Sequence, residues 1–259
     1  MKNCAYCNGK LINLINLKGI PVVNSLTQKI TKKKIKTKLS ICAKCKLFQH
    51  ENIVSKRKLF NKNYPYISSS SKELIKHFKY IKNKINFNKK NFFVEIGSND
   101  GSFLKNINKK RVKCLGIDPS KIACDYARKK KLNVINDFFS KRLAKNIVKQ
   151  HGQADIIFSA NTLAHVENLK DVLEGVDILL SEEGELYIEN IYLHTLIEKN
   201  LFDQLYHEHI YTYSVESINN IFSKYNLFID KINFNKMQGG SFLIKLTRKN
   251  KNKKKIQDI

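Results

Sequence analysis

Residues 92–101, Phe-Phe-Val-Glu-Ile-Gly-Ser-Asn-Asp-Gly, constrain the fold more than any other part of this chain. The apolar run of Phe92, Phe93, Val94 and Ile96 reads as a buried strand, and Gly97 and Gly101 allow a turn whose backbone passes close to a ligand. The order Gly97-Ser98-Asn99-Asp100-Gly101 differs from the Gly-x-Gly-x-x-Gly pattern that sets a helix N-terminus on a pyrophosphate. A nucleoside cofactor without phosphates fits this turn better, and the pattern points to S-adenosylmethionine. Glu95, Gly97, Asn99, Asp100 and Gly101 are therefore candidate cofactor-binding residues. A strand-to-helix turn in an unrelated α/β protein would look the same.

The residues that follow strengthen the cofactor reading. The run 112–118 predicts a second buried strand closing on an acid, where a carboxylate can accept both hydroxyls of a ribose, so Asp118 is the ribose candidate. Residues 132–137 predict a third strand, followed by Phe138 and Phe139, and 154–161 a fourth that ends on Asn161. A fifth is predicted over 184–189. Helical signals fill the gaps at 119–131, 140–150 and 169–180: Pro119 and Ser120 at one start, basic residues towards an end, apolar residues at helical spacing. Such alternation predicts an α/β fold with a doubly wound, mostly parallel sheet that binds ligands at the carboxyl ends of its strands. Glu95, Asp118, Asp137 and Asn161 fall at such ends. For Asp137, beside Phe138, an adenine contact and a plain turn or cap role are equally open.

A separate signal lies near the start, where Cys4-x-x-Cys7 and Cys42-x-x-Cys45 can each close half of a tetrahedral thiolate site. Four thiolates suit zinc. Met1-Lys2-Asn3 leaves no room for a signal peptide, so a cytoplasmic protein with a metal is expected over a disulfide framework or a redox pair. Cys114 and Cys124 read as core packing. The expected organisation is a zinc-binding module over 1–60, a linker and helix over 61–90, a cofactor domain over 91–248 and a basic tail over 249–259. No apolar run reaches the length that spans a bilayer, so no membrane partner is expected. The formal charge of +26 raises the question of nucleic acid, but only five of the 48 basic residues are arginine and the lysines run along the whole chain. That distribution argues against a selected phosphate-reading face.

Tyr64-Pro65-Tyr66-Ile67 leads into four serines that can cap a helix predicted from about 72 to 85. Beyond the fifth strand, 202–209 is the densest cluster of titratable groups. His207 and His209 would share a metal only on a strand and with a further ligand. Acid–base chemistry needs one imidazole oriented by a hydroxyl or carboxylate, which Tyr206, Glu208 and His209 supply.

In combination, the four cysteines, Tyr64-Pro65-Tyr66, residues 95–101, Gly116 to Ser120, Ala160 to His165, Tyr206 to His209 and Gly239-Gly240-Ser241 resemble the sugar C-methyltransferase family. That resemblance covers nearly the whole chain. It implies a Rossmann-like methyltransferase sheet using S-adenosylmethionine, an N-terminal zinc module, and methylation of a nucleotide-linked 4-keto-deoxysugar. It also implies that His209 removes the proton on carbon 3 beside the ketone, with Tyr64, Tyr206 and Glu208 placing the sugar and stabilising the enolate. Members of that family continue into a second α/β domain, so a separate chain supplying it, a divergent enzyme with a different acceptor, and a remnant that binds cofactor without turnover are the readings open here. Gln238 and Leu243 stand where the family usually has His and Arg, and Ile191 where proline is common. A methyltransferase acting on nucleic acid and a non-catalytic cofactor-binding subunit remain as other readings.

Overall fold

A computed structural model describes residues 3–21, 34–55, 66–108 and 111–249; Tyr64 and the basic tail beyond Lys249 lie outside the described residues. In chain order the elements that matter are β1 (Leu11–Ile20), β2 (Ile35–Cys42), β3 (Phe48–His50), α1 (Lys72–Lys82), β4 (Phe92–Ile96), α2 (Leu104–Asn108), β5 (Lys113–Asp118), α3 (Lys121–Lys129), β6 (Val134–Asn136) and α4 (Lys141–His151). They continue with β7 (Ala154–Ala160), α5 (Leu169–Leu179), β8 (Leu180–Ile191), α6 (Leu193–Glu198), β9 (Tyr211–Thr212), α7 (Val215–Phe222), β10 (Phe228–Asn235) and β11 (Ser241–Thr247).

Seven strands form the central sheet in the order β10-β11-β8-β7-β4-β5-β6. The five from β4 to β8 run parallel, as the alternating sequence predicts, while β11 is antiparallel to β8 and β10 to β11. All five residues of β4 are buried, which is why its sequence is apolar rather than alternating. From β4 the chain winds outward through β5 and β6, then returns to the other side of β4 with β7. That reversal opens a crevice at the carboxyl ends of β4 and β7. The helix starts follow local chemistry: Ser71, Ser120, Ser140 and Asn168 each accept a hydrogen bond from the backbone N–H three residues on. Each such cap stabilises its helix by about 1 kcal/mol.

One face of the sheet packs aromatics, with the Phe103 and Phe158 rings 4.2 Å apart and Phe78 edge-on to Phe103 at 5.5 Å. Cys114 and Cys124 are buried in the core, and burial pushes each thiol up to about 11. Beneath α1, His77 Nε2 lies 2.5 Å from the buried Glu189 carboxylate at the end of β8, which also accepts from Asn235. A second, antiparallel sheet has the order β1-β2-β3-β9. Its last strand follows the 202–209 cluster, and Tyr6 Oη donates to the Ile221 carbonyl at 3.3 Å, fastening this sheet to α7. No described helix is long and apolar enough to cross a membrane.

Candidate active site and thiolate cluster

The crevice at the strand ends is lined by Glu95, Gly97, Ser98, Asn99, Asp118, Phe138, Asn161, Tyr206, Glu208 and His209 of the residues considered so far. The turn after β4 is held from inside: the N–H groups of Gly97 and Ser98 donate to the Ile117 carbonyl, and Asn99 N–H donates to Asp118 Oδ2 at 2.8 Å. Asp118 Oδ1 accepts from Ser120 N–H at 2.8 Å, so the carboxylate is fixed between two strand ends with lone pairs left for a diol. Burial pushes its carboxyl up, against those two hydrogen bonds. Glu95 is buried as well, and burial, reinforced by Asp118, pushes it well above the usual carboxylate range. Glu95 Oε2 and Ser98 Oγ are buried without a hydrogen-bond partner among the described residues. Two orphaned polar atoms on a cleft wall suit the polar groups of a nucleoside cofactor.

Three candidates have other occupations. Asp100 is fully buried behind the turn, accepting from Lys130 Nζ at 2.8 Å and Ser102 Oγ at 2.6 Å. Burial would raise its carboxyl, but those hydrogen bonds outweigh it and hold it low. Gly101 faces Leu132 and Ala127, where a Cβ would lie 2.3 and 3.3 Å from them, so packing explains this glycine. Asp137 turns to Arg142 at 3.1 Å and leaves the cleft wall to Phe138. Asn99, although on the wall, spends its side chain on Ser68 N–H (2.8 Å) and the Tyr66 carbonyl (3.3 Å), drawing that segment over the cleft.

At the far wall, residues 206–209 form a turn in which His209 N–H donates to the Tyr206 carbonyl. His209 Nδ1 lies 2.9 Å from the Gln204 carbonyl, which can only accept, so Nδ1 carries the proton. Nε2 is then an acceptor, and Tyr206 Oη donates to it at 3.0 Å. Burial, opposed by the Gln204 carbonyl and Asp203, lowers the imidazole to about 4. The sequence reading counted His165 among the marks of the resemblance without giving it a site role; it lines the cleft and sets its ring edge-on to His209 at 4.9 Å. A titratable residue just past the end of β7 was the available signal.

The four Cys sulfurs converge, all lying within 4.8 Å of one another. Cys4 and Cys45 Sγ are 3.7 Å apart and Cys7 and Cys42 Sγ 3.5 Å. Metal–sulfur bonds of about 2.3 Å put the corners of a tetrahedron about 3.8 Å apart, so these thiols fit such an ion. Gly9 keeps the cradle open, since a Cβ there would meet Cys42 Sγ at 3.0 Å.

The pattern of the methyltransferase domain family matches residues 70–232, more than half of the chain. The chain belongs to the methyltransferase domain family. The C-methyltransferase NovU of Streptomyces niveus is 26% identical over 208 residues, 79% of this chain and 49% of NovU. The chain thus spans about half the length of that relative. A SAM-dependent methyltransferase from Archaeoglobus fulgidus superposes with a TM-score of 0.56 at 16% identity, over 68% of this chain and 94% of that one. Magnesium protoporphyrin IX methyltransferase (ChlM) from Synechocystis PCC 6803, solved with bound SAH, gives 0.52 at 14% identity over 68% and 83%. These structures share the fold of S-adenosylmethionine-dependent enzymes.

The protein's buried imidazoles make its stability depend on pH. Burial lowers His50 and His165 to about 3 and His209 to about 4, from 6.5. Between about pH 6.5 and 4 the unfolded chain takes up protons that the folded chain refuses, so stability falls as pH falls through that window. Glu95, with its raised carboxyl, acts in the opposite direction. The melting temperature is expected to drop on acidification from pH 7.5 to 5, and less steeply in His165→Gln. Parallel curves for the two proteins would show that His165 is not neutral in the fold.

Proposed function

We propose that this chain is an S-adenosylmethionine-dependent C-methyltransferase that acts on a nucleotide-linked 4-keto-deoxysugar. The observation that carries this reading is the pair of hydrogen bonds on His209, which leave one neutral nitrogen, Nε2, as the base on the wall of the cofactor cleft. The likeness to NovU supports transfer to carbon.

A ketone acidifies the C–H bond beside it, and a neutral imidazole is the side chain suited to take that proton near pH 7. In the free protein the Tyr206 hydroxyl occupies the Nε2 lone pair. A ketone oxygen arriving beside it is a competing acceptor. Turning the hydroxyl onto that oxygen bares Nε2 and stabilises the enolate in one movement. The carbon-bound proton then passes to Nε2, and the C–H electron pair becomes the enolate. Burial opposes an imidazolium, but the negative charge forming on the substrate within a few ångströms offsets that cost. Glu208 and His165 complete the wall and fix the sugar's orientation. Asp118, Glu95, Ser98 and Phe138 hold the cofactor: Asp118 takes the ribose, Phe138 covers the adenine. S-adenosylmethionine, when bound, supplies an electrophilic methyl group. Cys4, Cys7, Cys42 and Cys45 hold zinc with four protein sulfurs, the closed set of a structural site.

Proton removal can be followed apart from methyl transfer. With S-adenosylhomocysteine and a nucleotide-linked 4-keto-deoxysugar in D2O, the protein should exchange the hydrogen on carbon 3 for deuterium, and His209→Ala should not. Exchange at the same rate in both proteins would exclude His209 as the base.

A further inference from the structure

The two histidines flanking Glu208 face opposite ways. His209 lines the cleft, whereas His207 turns to the small sheet, with Nε2 3.2 Å from Thr37 Oγ1 on β2 and its ring 5.8 Å from that of His50 on β3. His50 is buried, and neither ring nitrogen has a hydrogen-bond partner among the described residues. What this ring offers is packing contact with His207.

The backbone makes the same connection. His50 N–H donates to the Ile210 carbonyl at 2.9 Å, one residue beyond His209. Gln49 pairs with Tyr211 and Phe48 with Thr212, so the strand that follows the acid–base turn closes the sheet of the cysteine module. Gln49 also reaches the thiolates: Nε2 donates to Cys4 Sγ at 3.2 Å, and Oε1 accepts from Ala5 N–H at 3.0 Å. Its neighbour His50, next along β3, meets the turn that carries His209 through Ile210 and His207.

We infer that the four-cysteine module is a positioning device for His209, with Gln49 and His50 as the residues that transmit the state of the thiolate cluster to the acid–base turn. Holding Cys4 fixes Gln49, Gln49 fixes the register of β3 on β9, and His50 keeps His207 and the turn against the cleft. The catalytic consequence rests on His209 being the base; the mechanical coupling does not.

The test uses the full chain with bound S-adenosylhomocysteine and follows the imidazole signals of His209 by 1H–15N NMR, assigned through His209→Gln. Stripping zinc with a chelator should shift or broaden those signals and restoring zinc should recover them, while cofactor affinity changes by less than about two-fold. Gln49→Leu and His50→Phe, measured with zinc retained, should disturb the same signals, and kcat should fall about ten-fold or more at unchanged KM for the cofactor. Signals of His209 that are unchanged in both zinc-loaded variants overturn the inference, even if metal-free protein unfolds. If the signals follow zinc but His209→Ala still turns over, the base assignment fails and the coupling stands.

Discussion

His209→Ala is expected to lower turnover by about 10²- to 10⁴-fold, the range that a positioned general base contributes. Cofactor affinity should stay within about two-fold, because the proposed ribose and adenine contacts fall to other residues of the cleft, Asp118 and Phe138. The specificity of the outcome comes from the hydrogen bonds. Gln204 holds the Nδ1 proton and Tyr206 reaches Nε2, so alanine removes the proton acceptor and leaves the Tyr206 hydroxyl without its partner. Tyr206→Phe should cost less, since the base survives and only enolate stabilisation is lost. Turnover measured against acceptor concentration separates the cases: a rise in KM with kcat intact would make His209 a binding residue instead of a base.

Gly97→Ala is expected to abolish cofactor binding. Gly97 has φ of +77°, and a Cβ there would stand 1.9 Å from Thr162 Oγ1 and 2.8 Å from Thr162 Cβ. Thr162 cannot simply move away, because its hydroxyl reaches the Ile96 carbonyl at 3.2 Å and the Ala160 carbonyl at 3.1 Å, bridging the ends of β4 and β7. The substitution must therefore push apart the two strands whose divergence forms the cleft. Gly152→Ala is the control. It carries a similar φ of +83° but has nothing within 4 Å of the new carbon, so only backbone strain of about 1–3 kcal/mol remains, far from the cleft. Calorimetric titration should find no binding to Gly97→Ala and near-normal binding to Gly152→Ala. Equal affinities would mean that the turn does not shape the cofactor site.

The parallel core was legible because its signals are local. Each of β4, β5 and β7 is an apolar run, and Ser120, Ser140 and Asn168 announce the helices that follow β5, β6 and β7 by capping them. The cysteine pairs were equally legible, since their spacing alone restricts the geometry. What sequence could not decide was which acid at a strand end faces the ligand. Asp100 and Asp118 look alike in the chain; the difference lies in Lys130, whose ammonium reaches back from the far end of α3 to neutralise Asp100. Asp137 is claimed in the same way by Arg142. Nor could the pattern reveal β9, only two residues long and recruited by a strand some 160 positions earlier in the chain. Its pairing with β3 brings His50 to the acid–base turn. No periodicity carries that information.

The most direct measurement of the central claim is incubation with S-adenosylmethionine carrying a deuterated methyl group and a panel of nucleotide-linked 4-keto-deoxysugars, with the product analysed by mass spectrometry and NMR. The account predicts a sugar bearing the labelled methyl on the carbon beside the ketone, absent with His209→Ala. A label found on oxygen, nitrogen or nucleic acid, or no product despite measured cofactor binding, would contradict it.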